Sequence, residues 1–545
     1  MPDPQKPSTA KSATKIMAAV FGSRILGLVR EMVLSFVFGA SRELDALKVA
    51  FRIPNLLRDL FAEGALSAAF VTTFSQKMAT EGKESALRLA NLVFNILVVS
   101  LSLICLLGIL FSGPLVHLIA PGFAETAGKL ALTVKLTQIM FPFILFAALA
   151  ALYMGLLNSL GSFGLPASAS MAFNIISIVA GGAIAWCFDP TFQDKEKCVT
   201  GFAIGVLLGG LAQWAAQIPR ARKFGFRFTW IFDLQDSGLK KILFLMIPAI
   251  VGAAAVQVNV LVSTYFATGF GNGAVTWLDN AFRLMQMPIG MFGVAISTVM
   301  LPSVSRSAAL NNLDEFKHSI QEGLRYMLLL AIPSSVGLAL MATPIIGALF
   351  QHGAYHSADT AQTATLLRYY SIGLIGYSAI KVLAPTFYAL NKVWTPVRIS
   401  ISGILLNILL NYCFIRVFNL GLYSLPLSIS IVALLNSFQL WFWLYRLIGN
   451  PFDKTFFISL AKILAATFVM AGMVYMLNWL FADTLSVWLH DVHVGIFKGQ
   501  GIAYIIQAFV ISGIGAATYF GSAWLLKLDE AQRIYRTLTT KFFKR

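Results

Sequence analysis

Of 545 residues, 58% are hydrophobic and only 12% are charged, and the mean hydropathy is +0.76; soluble proteins carry about 25% charged residues. Long apolar runs recur from one end to the other, which indicates an all-α polytopic membrane protein and excludes a β-barrel, whose strands need only about 9–11 alternating residues. A formal net charge of +17 suits either nucleic acid or anchoring at one membrane face, and the placement of the charges decides between them.

In chain order, the first twenty residues are polar and basic. They lack a short apolar core followed by a small-residue cleavage site, so no removed signal peptide is expected. About fourteen transmembrane helices are then predicted, near 13–38, 43–78, 86–119, 128–158, 164–188, 199–219, 240–269, 273–306, 316–350, 359–390, 396–416, 420–446, 456–482 and 502–526. Pro54 and Pro288 fall inside the second and eighth spans. Proline removes a backbone hydrogen bond, so both spans are expected to kink or break. At membrane depth such breaks are tolerated only where they line protein or water.

With the N-terminus inside, 26 of the 41 Lys and Arg residues fall in cytoplasmic segments and seven in outside segments or helix ends. This asymmetry places both termini in the cytoplasm. It accounts for most of the net charge, so no nucleic acid partner is expected. The four cysteines, Cys105, Cys187, Cys198 and Cys413, form no CxxC, so no redox or metal motif is expected.

A faint repeat links the second span to the eighth. Leu47, Ala50-Phe51-Arg52, Phe61 and Ser67 recur 231 residues on as Leu278, Ala281-Phe282-Arg283, Phe292 and Thr298. Six spans separate them, so the halves share an orientation about an axis along the membrane normal, as in some transporters. The expected layout is an N-terminal lobe at 1–230, a C-terminal lobe at 231–450, and two further spans with a cytoplasmic tail at 451–545.

Residues 23–67 hold the densest intramembrane charge: Arg24, Arg30, Glu31, Asp45, Lys48, Arg52, Arg58, Asp59 and Glu63. A charge at the centre of a membrane helix costs roughly 2.5–3.5 kcal/mol on insertion scales. Either these groups face a polar cavity inside a helix bundle, or they sit at helix ends and snorkel to the interface. The excess of Arg favours a central cationic cavity with an anionic cargo. Arg24 and Glu31 share a helix face, as do Asp45, Lys48 and Arg52. On the eighth span Asp279 and Arg283 are followed by Gln286. Arg24, Arg30, Arg58 and Arg283 form the candidate binding set, because a guanidinium binds phosphate in bidentate fashion and stays charged when partly buried. Glu31, Asp45, Arg52, Glu63 and Gln286 are supporting candidates.

Other polar residues weigh less. Asn407 and Asn411 share a face, for a cation or for interhelical hydrogen bonds. Arg368 and Lys381 either line the cavity or snorkel. His352 and His356 are read as surface residues. No nucleophile motif, phosphate-binding loop or zinc spacing occurs, so no cofactor, metal or enzymatic activity is expected.

SRILGLVRE, FGASRELDALKVAFRIPNLLRDLFAEGALSAAFV, APGF at 120–123 and LMQMPIGMFGVAISTVMLPSVSR resemble the MurJ (MviN) family of lipid II flippases. PNLLRDLFAEGALSAAFV is the most specific of these matches, and the likeness in span pattern extends over the chain. The resemblance implies the multidrug/oligosaccharidyl-lipid/polysaccharide exporter fold, with two six-helix lobes in a V and two C-terminal helices forming a groove for a polyprenyl tail. It implies lipid II as cargo, the undecaprenyl-pyrophosphate carrying the disaccharide-pentapeptide. It implies alternating access in the bacterial inner membrane, contact with membrane lipids, and other cell-wall synthesis proteins as partners. The family's cavity arginines fall on Arg24, Arg30, Arg58 and Arg283, and its acidic positions on Asp45 and Glu63. Gln286 and Asn411 stand where some relatives carry acids. Pro54, Pro288 and Gly290 are the expected hinges. The rival readings are a flippase for another polyprenyl-linked glycan, a cation-coupled drug exporter centred on acids, and a glycosyltransferase with a large outside loop. The longest outside loop here, near 483–501, is short.

Overall fold

The computed structural model describes residues 9–60, 66–488, 499–533 and 535. Among these the regular structure is all helical, with no strand. Among the described residues, ten helices are long and apolar enough to cross a membrane. The spans expected near 13–38, 43–78, 240–269 and 273–306 lie outside those ten. The first of these carries Arg24, Arg30 and Glu31 in its central stretch. The second and eighth are each divided into helices of 14–17 residues, shorter than the roughly 20 needed to cross hydrocarbon.

The chain forms two compact units, residues 1–275 and 276–545. The first contains α1 (Thr9–Phe38), α2 (Arg42–Arg58), α3 (Ser67–Thr80), α4 (Lys83–Leu110), α5 (Ser112–Ile119), α6 (Lys129–Met140), α7 (Phe143–Ser159), α8 (Gly164–Phe188), α9 (Lys195–Ala215), α10 (Ile218–Lys223) and α11 (Ser237–Ala267), and the boundary falls just inside α12 (Ala274–Pro288). The second continues with α13 (Val294–Ala309), α14 (Leu313–Leu340), α15 (Ala342–Phe350), α16 (Ser357–Ala389), α17 (Trp394–Tyr412), α18 (Ser424–Ile448), α19 (Lys454–Trp488), α20 (Gly499–Ile506) and α21 (Ser512–Leu525).

The order of elements repeats. The starts of α4 and α14, Lys83 and Leu313, are 230 residues apart, as are those of α5 and α15, Ser112 and Ala342, and of α8 and α17, Gly164 and Trp394. A π-helical turn begins at Asp59, after α2, and another spans Ile289–Gly293, after α12. The two prolines, each expected to kink or break its span, differ from one another. α2 stays helical through Pro54 and changes pitch only at Asp59, whereas α12 changes pitch directly after Pro288.

In the first unit one core gathers Phe70, Phe74, Leu89, Ile144, Leu152 and Leu156, from α3, α4 and α7. Another joins Leu34, Phe38, Leu44, Leu136, Phe143 and Phe202. Lipid offers no hydrophobic drive between helices, so close backbone approach matters more. α8 and α9 meet through Gly181, Gly201, Gly205 and Gly209. A Cβ on Gly205 would lie 2.4 Å from the Gly181 Cα. In the second unit Gly373 and Gly376 of α16 meet Ser430 and Ala433 of α18 in the same way. The last helices belong to this unit's core. Ile463, Ala466, Met470 and Tyr519 pack with Leu329 and Ile332 of α14, and the Tyr519 hydroxyl donates to the Leu329 carbonyl at 2.6 Å.

Candidate functional site

The turn into α2 fixes the first charged cluster. Gly39, at φ +65°, adopts a left-handed conformation that glycine takes without strain. Ser41 then caps α2 by accepting from the Leu44 N–H at 3.3 Å. The face expected to carry Asp45, Lys48 and Arg52 exists, and each residue meets a different helix. Asp45, fully buried, accepts from Lys129 Nζ at 2.9 Å and from the Gly273 N–H at 2.7 Å. Lys129, at the start of α6, also reaches Asn272 Oδ1 at 3.0 Å and lies 4.1 Å from the Phe123 ring centroid. Lys48 Nζ is 3.2 Å from Glu31 Oε2 on α1. Arg52 donates to the Thr264 hydroxyl on α11.

Glu31, 4% exposed, is shared by two cations. Its Oε1 lies 3.1 Å from Arg30 Nη2, and its Oε2 takes Lys48. The Arg30 guanidinium also sits near the rings of Phe51 and Phe173, with centroids at 5.8 and 5.2 Å. This trio gathers two cations on one acid and is largely buried. Two turns beyond Phe51, Arg58 donates through Nε and Nη2 to Asp59 Oδ1 at 3.1 and 2.8 Å. Asp59 Oδ2 accepts from Gln257 Nε2 at 2.9 Å. Arg24, two turns before Glu31 on α1, is exposed. In the second unit Arg283 Nη2 and Asp279 Oδ2 are 3.9 Å apart, one helical turn from each other, and Gln286 is exposed. Glu63 lies outside the described residues.

Three contributors to this region were not legible in the sequence. Lys129 was counted among the outside charges that set orientation, yet it is 1% exposed. Its only sequence signal is its place at the head of an apolar run, level with Asp45 at the head of another. Thr264 and Gln257 gave no signal within their apolar helix.

The lesser candidates are also placed. Asn407 and Asn411 are fully buried and bond to each other at 2.9 Å. Both also bond the Ser428 hydroxyl, linking α17 to α18. His352 is buried, with Nε2 3.1 Å from the Ala348 carbonyl oxygen, in contrast to the expected surface position. His356 caps α16, with its backbone N–H donating to Asp359 at 2.9 Å. Arg368 donates to Thr343 at 3.0 Å, and Lys381 is exposed. All four cysteines are free thiols.

Charge pairs of this kind, in a chain whose described residues include ten helices long and apolar enough to cross a membrane, fit a transporter. The family description lipid II flippase MurJ matches residues 34–493. The chain belongs to the MurJ family of lipid II flippases. It is 34% identical to the lipid II flippase MurJ of Burkholderia cenocepacia, over 92% of this chain and 95% of that one. Identity to the probable lipid II flippase MurJ of Vibrio cholerae is 35%, over 95% and 96% of the two chains. A solved structure of lipid II flippase MurJ in an inward closed conformation matches with a TM-score of 0.71 and 26% identity, covering 92% of this chain and 98% of that one. An inward-facing multidrug resistance MATE family transporter of the MOP superfamily matches at a TM-score of 0.67 and 14% identity, over 81% and 98% of the chains, and so shares the fold. Together with the ten apolar helices, family membership makes this a multi-pass inner-membrane protein.

Proposed function

We propose that the chain carries lipid II from the cytoplasmic to the periplasmic leaflet by alternating access, without enzymatic chemistry. The observation that carries the mechanism is the Arg30–Glu31–Lys48 cluster: two cations gathered on one buried acid, in a chain of this family. A pyrophosphate cannot cross hydrocarbon unaided. Arg24, Arg30, Arg58 and Arg283 compensate its charge, and Glu31 and Asp59 hold Arg30 and Arg58 when no phosphate is bound. Asp45, Arg52, Glu63 and Gln286 support the cavity. The polyprenyl tail remains in lipid along α19 and α21. The reading retains fourteen spans, two six-helix lobes with a C-terminal pair, both termini in the cytoplasm, and cell-wall synthesis proteins as neighbours. The repeated order of helices and the Lys/Arg asymmetry support it.

The test is complementation of cells depleted of their lipid II flippase. Alanine at Arg24, Arg30, Arg58 or Arg283 should each abolish or severely reduce growth at normal membrane levels. Each change removes a charge-assisted hydrogen bond worth roughly 1.5–3 kcal/mol. Lysine should substitute poorly where the contact is bidentate. Normal growth of three of the four alanine variants at normal expression would overturn the cationic-site mechanism.

A further inference from the structure

Between α10 and α11 the chain runs alongside α4 with no helix of its own. Asn91 and Asn95, one turn apart on α4, bind it through alternate residues. Asn91 Nδ2 donates to the Arg227 carbonyl at 3.0 Å, and its Oδ1 accepts from the Thr229 N–H at 3.0 Å. Asn95 Nδ2 donates to the Thr229 and Ile231 carbonyls at 2.9 and 2.8 Å. Odd-numbered residues therefore direct their backbone groups at α4, the alternation of an extended segment. The even-numbered residues Phe228, Trp230, Phe232 and Leu234 are all exposed. Their rings form a continuous row: Phe94 to Phe228 at 5.4 Å, Phe228 to Trp230 at 6.0 Å, and Trp230 to Phe232 at 5.0 Å.

The row's place along α4 identifies what it meets. Asn91 and Asn95 lie on the stripe that continues as Val99, Leu103, Leu106 and Leu110, all exposed. In a membrane helix that stripe faces lipid, and the segment covers the two polar residues that would otherwise face it. Asn91 to Leu110 is 20 residues, about 30 Å of helix, which equals the hydrocarbon thickness of a bilayer. With Leu110 at the far boundary, the row lies at the near one, the depth where Trp and Tyr form membrane belts. Arg220, Arg222, Lys223 and Arg227, all exposed, flank it, against Asp233 on the segment itself. Basic residues beside an apolar row match an anionic lipid surface.

We infer that residues 226–234 form an interfacial anchor, with the Phe228–Trp230–Phe232–Leu234 row seated in the bilayer at the end where α4 begins and the flanking basic residues holding anionic phospholipid headgroups. This surface is separate from the arginine site and does not depend on it.

The test uses full-length protein in phosphatidylcholine vesicles with and without phosphatidylglycerol. Trp230 is read as the fluorescence difference between the wild type and Trp230→Phe, because the chain has ten tryptophans. The anchor predicts that lipids brominated near the carbonyl end of the acyl chain quench this difference and that aqueous acrylamide does not. It also predicts that Arg222→Gln/Lys223→Gln/Arg227→Gln loses the enrichment of phosphatidylglycerol seen by native mass spectrometry of the wild type. Asn91→Ala/Asn95→Ala should release the segment and open Trp230 to acrylamide. Quenching by acrylamide in the wild type would place the row in water. Protection from both quenchers would place it against protein. Undiminished phosphatidylglycerol enrichment in the triple variant would remove the electrostatic part. Each of these outcomes overturns the inference.

Discussion

Lys129 and Asp45 show what one residue does in this chain. Both are fully buried, and each supplies the other's opposite charge. Removing one partner of a buried pair leaves an uncompensated charge and typically costs about 3–5 kcal/mol. Lys129→Met should therefore lower the thermal midpoint of the detergent-solubilised protein strongly. Lys129→Met with Asp45→Asn should recover much of the loss, since no charge is then stranded. A double variant no more stable than Lys129→Met would show that the pair is not what stabilises the turn into α2. The sequence showed the Asp45–Lys48–Arg52 face, because that periodicity is local. It could not show which acid takes which base: Asp45 and Lys129 are 84 residues apart, and a lysine at the head of an apolar run looks like an orientation signal. The sequence put Glu31 on a face with Arg24, whereas the structure pairs it with the adjacent Arg30. That Lys48 shares Glu31 depends on how α1 packs on α2.

At the scale of elements, α8 and α9 are held by glycines whose absent side chains let the backbones touch. Gly205→Ala would put a Cβ within 2.6 Å of the Gly181 backbone nitrogen and 2.8 Å of the Ser177 carbonyl oxygen. Such overpacking costs typically 1–3 kcal/mol. Gly182→Ala, one residue along α8, meets nothing within 4 Å and should be neutral. Equal thermal midpoints for the two variants would contradict this packing. The C-terminal helices need a test that respects their contacts. Deleting residues from about 456 onward is the blunt test of a tail-binding role. Because α19 and α21 build the core around Leu329 and Ile332, the deletion would also open that core. Polar changes on their exposed faces, such as Phe468→Asn or Trp479→Gln, are the cleaner probe. They should weaken transport at unchanged thermal midpoint if that surface holds the lipid tail. Long apolar helices were legible from hydropathy, and the ten strongest coincide with expected spans. The π-helical turns were not, because a change of pitch leaves no mark on composition, and Pro54 lies well before the turn that follows α2.

At the scale of the molecule, the Lys/Arg asymmetry and the repeated order of helices fix two further expectations. In a variant without its native cysteines, Gly269→Cys should react with an impermeant thiol reagent from outside the cell, and a cysteine after Arg545 should not. At Gly269 an added side chain meets nothing within 4 Å. Outside labelling of the C-terminus would overturn the orientation. The central claim is that this chain moves lipid II across the membrane by way of Arg24, Arg30, Arg58 and Arg283. The most direct measurement is the fraction of lipid II whose head group an externally added hydrolase can reach, in cells where this chain replaces the resident flippase. The account predicts that wild-type protein keeps that fraction at its normal level and that Arg30→Ala, at equal membrane abundance, lets it fall to the level of depleted cells. An Arg30→Ala protein that exposes as much lipid II as the wild type would contradict it.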